Sequence, residues 1–229
     1  MPSGILTPAV GWNGGGLTLT TRGYGWEEGD RTPGYGTVVS GSAPSAGDLV
    51  IWHGFTYDTD SIGGGGWTVL GTEYVAYNRC ALLYKIITAS DISSPPTLCV
   101  AGFDWAWQWH AFEPSVPISI RNTGFTSSGS DGNPSSMNLN ESAEASPGVI
   151  LSGHSSYDGT PTSGNTSWSG ATPDTTTTAI GTQYGPGEGL TRFKLYGEEG
   201  SFGDSVTADM NDLGTNNIQL MCAIWVQAA

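Results

Sequence analysis

No window of a dozen residues in this chain carries apolar side chains at helical spacing, and that absence limits the fold more than any other feature. A surface helix needs apolar positions three and four residues apart, whereas a half-buried strand needs them at every second position. Short apolar runs, alternating or continuous, recur along the chain between Gly, Pro, Asn and Asp. The pattern predicts strands at 37–39, 48–56, 67–75, 79–88, 97–103, 105–112, 116–120, 148–155, 191–196, 205–210 and 217–227. The expected fold is all-β, a jelly-roll-like β-sandwich of two antiparallel sheets.

Sandwiches of roughly 200–250 residues fold as one unit, so residues 37–229 are expected to form a single domain. Nine Trp and nine Tyr along the length supply enough large side chains for its core. Residues 1–36 read differently. Gly14 to Gly16, Gly23 and Gly25 precede Glu27, Glu28 and Asp30, which offers turns and charge rather than core, so this segment is expected to be a Gly-rich arm or edge. The polar stretches 127–146 and 157–178 read as surface loops.

Two halves, about 47–120 and 147–227, share an order of short motifs. Leu49-Val50-Ile51 leads to Tyr57-Asp58, as Val149-Ile150-Leu151 leads to Tyr157-Asp158. Trp67-Thr68 is matched by Trp168-Ser169, and Gly71-Thr72-Glu73-Tyr74 by Gly181-Thr182-Gln183-Tyr184. Each half then enters another strand, at Ala81 to Lys85 or Thr191 to Leu195. A half of that size cannot cover both faces of its own sheet, which points to paired sheets.

Twenty-one acidic residues against seven basic ones give a net charge of −14, a field that repels phosphate backbones. Nucleic-acid binding is therefore not expected. The apolar runs are far shorter than the ~20 residues of a membrane helix, and the start of the chain lacks the basic flank and apolar core of a signal peptide. Cys80, Cys99 and Cys222 are odd in number and sit in apolar surroundings, as buried free thiols do in a reducing cytoplasm.

Chemistry is sparse. His53, His110 and His154 form no paired-ligand spacing, no Cys-x-x-Cys occurs, and the Gly63 to Gly66 run lacks the Lys and helix of a phosphate loop. No Ser lies in a nucleophile elbow, and Asp58-Thr59-Asp60 starts like an ion-binding loop without completing one. No catalytic residue, metal or cofactor is assigned. Trp105, Trp107 and Trp109 alternate and share one face of a strand, where packing against the opposing sheet is expected. Contacts with a partner or a glycan are assigned to Trp12 and Trp26, which lie in an arm without a core, and to Trp168, Tyr57 and Tyr157, the two Tyr being followed by Asp.

Gly47-Asp48-Leu49-Val50, Gly66-Trp67-Thr68-Val69-Leu70, Ala81 to Lys85, and Trp107 to Phe112 before Pro114 follow one another in an order that resembles a β-sandwich family of tailed-phage virion proteins. The closing run Leu220 to Val226 is similar to that family's ending. The resemblance implies a non-enzymatic module of phage heads, tails or fibres. A single module without a stalk fits an accessory head protein, a decoration, cement or spike subunit that is assembled in the host cytoplasm and carried in the virion. Implied partners are the major capsid or tail proteins and further copies of the chain, a trimer by analogy; the alternative is a carbohydrate-binding receptor-binding or tail-fibre module.

Overall fold

Four consecutive residues show how the chain builds its interior. In Leu49-Val50-Ile51-Trp52 every side chain is fully buried, yet Leu49 and Ile51 join one apolar cluster while Val50 and Trp52 join another. Side chains alternate across a strand, so this strand is buried on both faces and reads as a continuous apolar run. Leu82 and Leu83, and Ala111 and Phe112, divide between the same two clusters.

The computed structural model describes residues 17–28, 37–57, 65–75, 78–93, 105–130, 137–139, 148–156, 178–183, 188–196, 206–208 and 217–229. The elements are β1 (Leu19–Glu28), β2 (Thr37–Gly41), β3 (Leu49–Tyr57), β4 (Thr68–Val75), β5 (Asn78–Ile86), α1 (Ala89–Ser93), β6 (Trp105–Pro114), β7 (Ile118–Ser130), β8 (Met137–Leu139), β9 (Gly148–Ser156), β10 (Thr178–Gln183), β11 (Glu188–Tyr196), β12 (Val206–Ala208) and β13 (Asn217–Ala228). A six-stranded sheet has the order β2-β1-β6-β3-β5-β4, a five-stranded sheet the order β10-β11-β9-β13-β7, and β12 pairs with β8. Every pairing in these sheets is antiparallel. The described chain is all-β apart from the one turn of helix at α1.

With β2, β8 and β12 set aside, the two sheets are laid out alike, β4-β5-β3-β6-β1 matching β10-β11-β9-β13-β7. The register carries the match to single residues. Ala111 of β6 lies opposite Gly23 of β1 and Val50 of β3, as Ala223 of β13 lies opposite Gly124 of β7 and Ile150 of β9. Leu17-Thr18-Leu19 before Gly23-Tyr24 thus corresponds to Ile118-Ser119-Ile120 before Gly124-Phe125. The chain completes the first sheet before it enters the second.

Three local expectations differ from what is found. The stretch 19–28, expected within an arm or edge segment, is β1, which hydrogen-bonds to β2 on one side and β6 on the other. Leu17 and Leu19 are buried in the core, and these two apolar residues outweigh the surrounding Gly and Thr. β7 runs on to Ser130 and β10 begins at Thr178, positions read as loop because both strands are rich in Gly, Ser and Thr, and Met137–Leu139, inside the expected loop 127–146, forms β8 against β12. The expected strand at 97–103 lies outside the described residues.

The first cluster takes Leu17, Leu19, Leu49, Ile51, Leu82 and Phe112 from the first sheet and Ile118, Cys222, Ile224 and Val226 from the second, so the two sheets share one core. The second cluster, Val50, Trp52, Trp67, Ala81, Leu83, Ile87, Trp109 and Ala111, covers the far face of the first sheet. Trp109 is fully buried there, with the Trp52 and Trp67 rings edge-to-face at 5.4 Å. Its indole packs on the face away from the second sheet, not against it as expected, because the register puts Trp109 beside Trp52. Each such buried indole is worth about 3–5 kcal/mol against truncation to Ala.

Candidate functional site

Buried charge is the feature of this fold most in need of a reason, since an unpaired ion in the interior is expensive. Asp48 is only 1% exposed, at the start of β3. It ends a tight turn in which its own N–H donates to the Ser45 carbonyl at 3.0 Å and its carboxylate accepts the Ser45 N–H at 2.7 Å. Gly47, just before it, has φ of +94°, a conformation that the third position of a type II turn requires and that favours Gly. The Asp48 carbonyl accepts the Ile87 N–H at 2.8 Å and the Ile87 carbonyl accepts the Gly47 N–H at 2.7 Å, so the turn is laced to the end of β5.

The cation opposite Asp48 comes from an irregularity. The β1–β6 register shifts between Thr21 and Gly23, which leaves Arg22 as an extra residue in a β-bulge. A bulge re-aims its side chain. Here the Arg22 Nε reaches Asp48 at 2.5 Å and a terminal guanidinium nitrogen reaches Glu113 of β6 at 3.0 Å. Burial pushes the Asp48 carboxyl above its ordinary range, and the Ser45 N–H and Arg22 recover only part of that. Arg22 is raised as well: burial opposes its charge, but Asp48 and Glu113 both face it. The two directions agree physically, because the guanidinium meets two carboxylates while Asp48 meets one cation and the repulsion of Glu113.

A second charged node stands at the end of β5. The Lys85 ammonium donates to Asp91 at 2.6 Å and to the Gly65 carbonyl at 2.9 Å, tying the turn before Trp67 to α1. The other Asp91 oxygen accepts the Thr88 N–H and hydroxyl, each at 2.8 Å. This is the acidic half of a capping box, and it explains why Thr88-Ala89-Ser90-Asp91 can start a helix of one turn. Burial alone would raise the Asp91 carboxyl, but Lys85 and Thr88 hold it below its ordinary range.

The seam between the sheets is marked by Gly71 and Glu73 of β4. The Ser127 hydroxyl of β7 donates to the Glu73 carboxylate, and a Cβ at Gly71 would run into the Phe125 ring. Gly71 is therefore the residue that lets β4 approach β7.

These groups do structural work. Asp48 is closed off from solvent, and its partners are a guanidinium and a backbone amide rather than an open cleft. Among the described residues no three of His, Cys, Asp and Glu form a metal-ligand set, and no helix is long and apolar enough to cross a membrane. Compared with known proteins, the chain matches no family model, no curated protein and no solved structure.

Of the assigned contact residues, Trp12, Trp168 and Tyr157 lie outside the described residues. Trp26 is placed in β1 opposite Thr37 and Gln108, inside the sheet rather than on an arm, and Tyr57 ends β3 opposite Asn78. His110 is fully buried, its ring 5.9 Å from that of Tyr24. His53 lies opposite Leu82 and Gln108, and His154 opposite Leu190 and Gln219. Cys222 is a buried free thiol. Sequence reading picked out Gly47-Asp48, Gly66-Trp67 and Lys85 as motif residues without a role, and it missed Arg22, Asp91, Glu113 and Ser127. A signal existed for Asp91 in the Thr-x-x-Asp spacing after β5; Arg22 had none, since a bulge has no fixed sequence mark.

Proposed function

We propose that this chain is a non-enzymatic structural protein of a tailed-phage virion, an accessory head protein of the decoration, cement or spike type that docks on other virion proteins. The observation that carries the reading is the use made of the motif residues. Gly47-Asp48 forms the turn that anchors the Arg22 bulge, Gly66-Trp67 places an indole in the second cluster, and Lys85 fastens the turn at Gly65 to α1. Motifs whose residues are spent on fastening strands belong to a scaffold, and a virion component is selected for holding together under load. We read the two sheets as the leaves of a β-sandwich. Because the chain finishes one leaf before starting the other, the sandwich is a pair of similar leaves rather than a jelly roll wound between them.

Mass spectrometry and cryo-electron microscopy of purified particles test the reading. The expected result is a fixed copy number per particle that survives high-salt washing and density that accommodates both sheets. Particles of full infectivity that lack the protein would overturn it.

A further inference from the structure

Among the described residues the chain changes sheets once, through a very short link. Every strand of the six-stranded sheet precedes Ser115 and every strand of the five-stranded sheet follows Pro117, so Ser115-Val116-Pro117 joins the two. Each end of this link is fastened to its own sheet. The Ser115 N–H donates to the Thr18 carbonyl at 2.9 Å and the Ser115 hydroxyl accepts the Thr18 N–H at 2.8 Å, at the entry to β1. The Pro117 carbonyl accepts the Ala229 N–H at 2.9 Å, at the exit of β13. Val116 alone stands between these ties, 37% exposed. Pro114 precedes the link and Pro117 ends it, and a proline biases the residue before it, here Val116, towards an extended backbone. The faces that the two sheets turn to each other are by contrast apolar, with Leu49, Ile51 and Phe112 of one and Cys222, Ile224 and Val226 of the other all fully buried.

We propose that this chain exchanges sheets with a second copy of itself, the first sheet of each copy packing on the second sheet of the other. The core contacts are the same whether the two sheets belong to one molecule or to two, so exchange leaves the buried apolar surface unchanged. What differs is the link. Closed within one molecule, it bends at Ser115 and Val116 between two fixed ends; opened, it runs extended, the form that its prolines favour. A flexible link holds its ends at an effective concentration on the order of millimolar, and a link too short or stiff to span freely falls below that, so a second copy competes once the chain itself is millimolar. Reciprocal exchange satisfies both sheets of both copies, and assembly closes at two. The matched layout of the sheets adds to the tendency, since chains built from like units characteristically misassemble by exchange. Exchange of this kind is open to the chain whether or not it belongs to a virion.

Refolding the full chain from urea at micromolar and at millimolar concentration, followed by size-exclusion chromatography with light scattering, tests it. The micromolar sample is expected to give a mass of 23.8 kDa, and the millimolar sample a second species of twice that mass. The larger species should outlast dilution, because an exchanged pair separates only when the shared core opens, at the slow rate of unfolding. A Gly/Ser insert of about six residues after Val116 lets each chain close on itself and should lower the dimer share at least about fivefold at the same concentration, while deletion of Val116 should raise it. No dimer from the parent at millimolar concentration, a dimer that dissociates as soon as it is diluted, or an equal dimer share in parent and insert variant would overturn the proposal. The parent and the insert variant, in which the link is only loosened, decide the matter even if the deletion variant fails to fold.

Discussion

Replacing Asp48 separates what its charge contributes from what its oxygen contributes. In Asp48→Ala the Ser45 N–H loses its 2.7 Å acceptor and Arg22 keeps only Glu113. A hydrogen bond to a charged group contributes about 1.5–3 kcal/mol, and breaking a fully buried ion pair costs about 3–5 kcal/mol. The second figure must be reduced here, because the Arg22 side chain is 21% exposed and retains a carboxylate. The expected loss for D48A is therefore about 2–3 kcal/mol, or about 4–12 °C in Tm at this chain length. Asp48→Asn keeps an oxygen for Ser45 and removes a charge that burial already disfavours, so its expected cost is below about 1 kcal/mol. Urea unfolding followed by Trp fluorescence measures both variants. If D48N costs as much as D48A, the charge and not the acceptor holds the turn; if D48A matches the parent within ~0.5 kcal/mol, the turn is no anchor, and either result refutes the reasoning.

Asp91 is held below its ordinary range, so its contribution is present above the unfolded value of 3.8 and is lost as pH falls through the folded value. Asp91→Asn should accordingly be less stable than the parent at pH 7, and the gap should close in melts taken progressively below pH 3.8. Asp48, held above its ordinary range, has the opposite sign: its contribution is present below 3.8 and is lost as pH rises through the folded value, which carboxyl titration by NMR would register as an upfield-to-downfield midpoint above 3.8. Gly71→Ala forces a Cβ against the Phe125 ring, and a loss of about 1–3 kcal/mol in chemical denaturation is expected, smaller in a G71A/F125L double variant than the two single losses summed. Trp109→Ala opens the second cluster and should cost about 3–5 kcal/mol, measurable as a lowered urea midpoint at unchanged slope.

What could be read in the sequence was what depends on neighbours along the chain. Alternation and bracketing turn residues located β3, β5, β6 and β13, whose apolar runs are strong, and the all-β class with them. The strands that escaped, β1, β8 and β10, draw much of their reason from the strands beside them: β1 becomes a strand because β6 and β2 flank it and two leucines reach the core, not because its own residues favour one. The charged nodes were hidden for a related reason. Arg22, Asp48 and Glu113 are distant in sequence and meet only through a bulge and a turn, so no spacing announces them. Lys85 and Asp91 are six residues apart across the end of a strand, and only the capping pattern at Thr88 hinted at their pairing.

The claim on which the rest depends is that both halves of the chain build a single interior, with Leu49, Ile51 and Phe112 of one sheet packed with Cys222, Ile224 and Val226 of the other. Differential scanning calorimetry tests it most directly. One heat-absorption peak is expected, with calorimetric and van't Hoff enthalpies equal, and D48A should shift the whole peak although the change lies in the first sheet. Two separable transitions, with D48A moving only one of them, would contradict it.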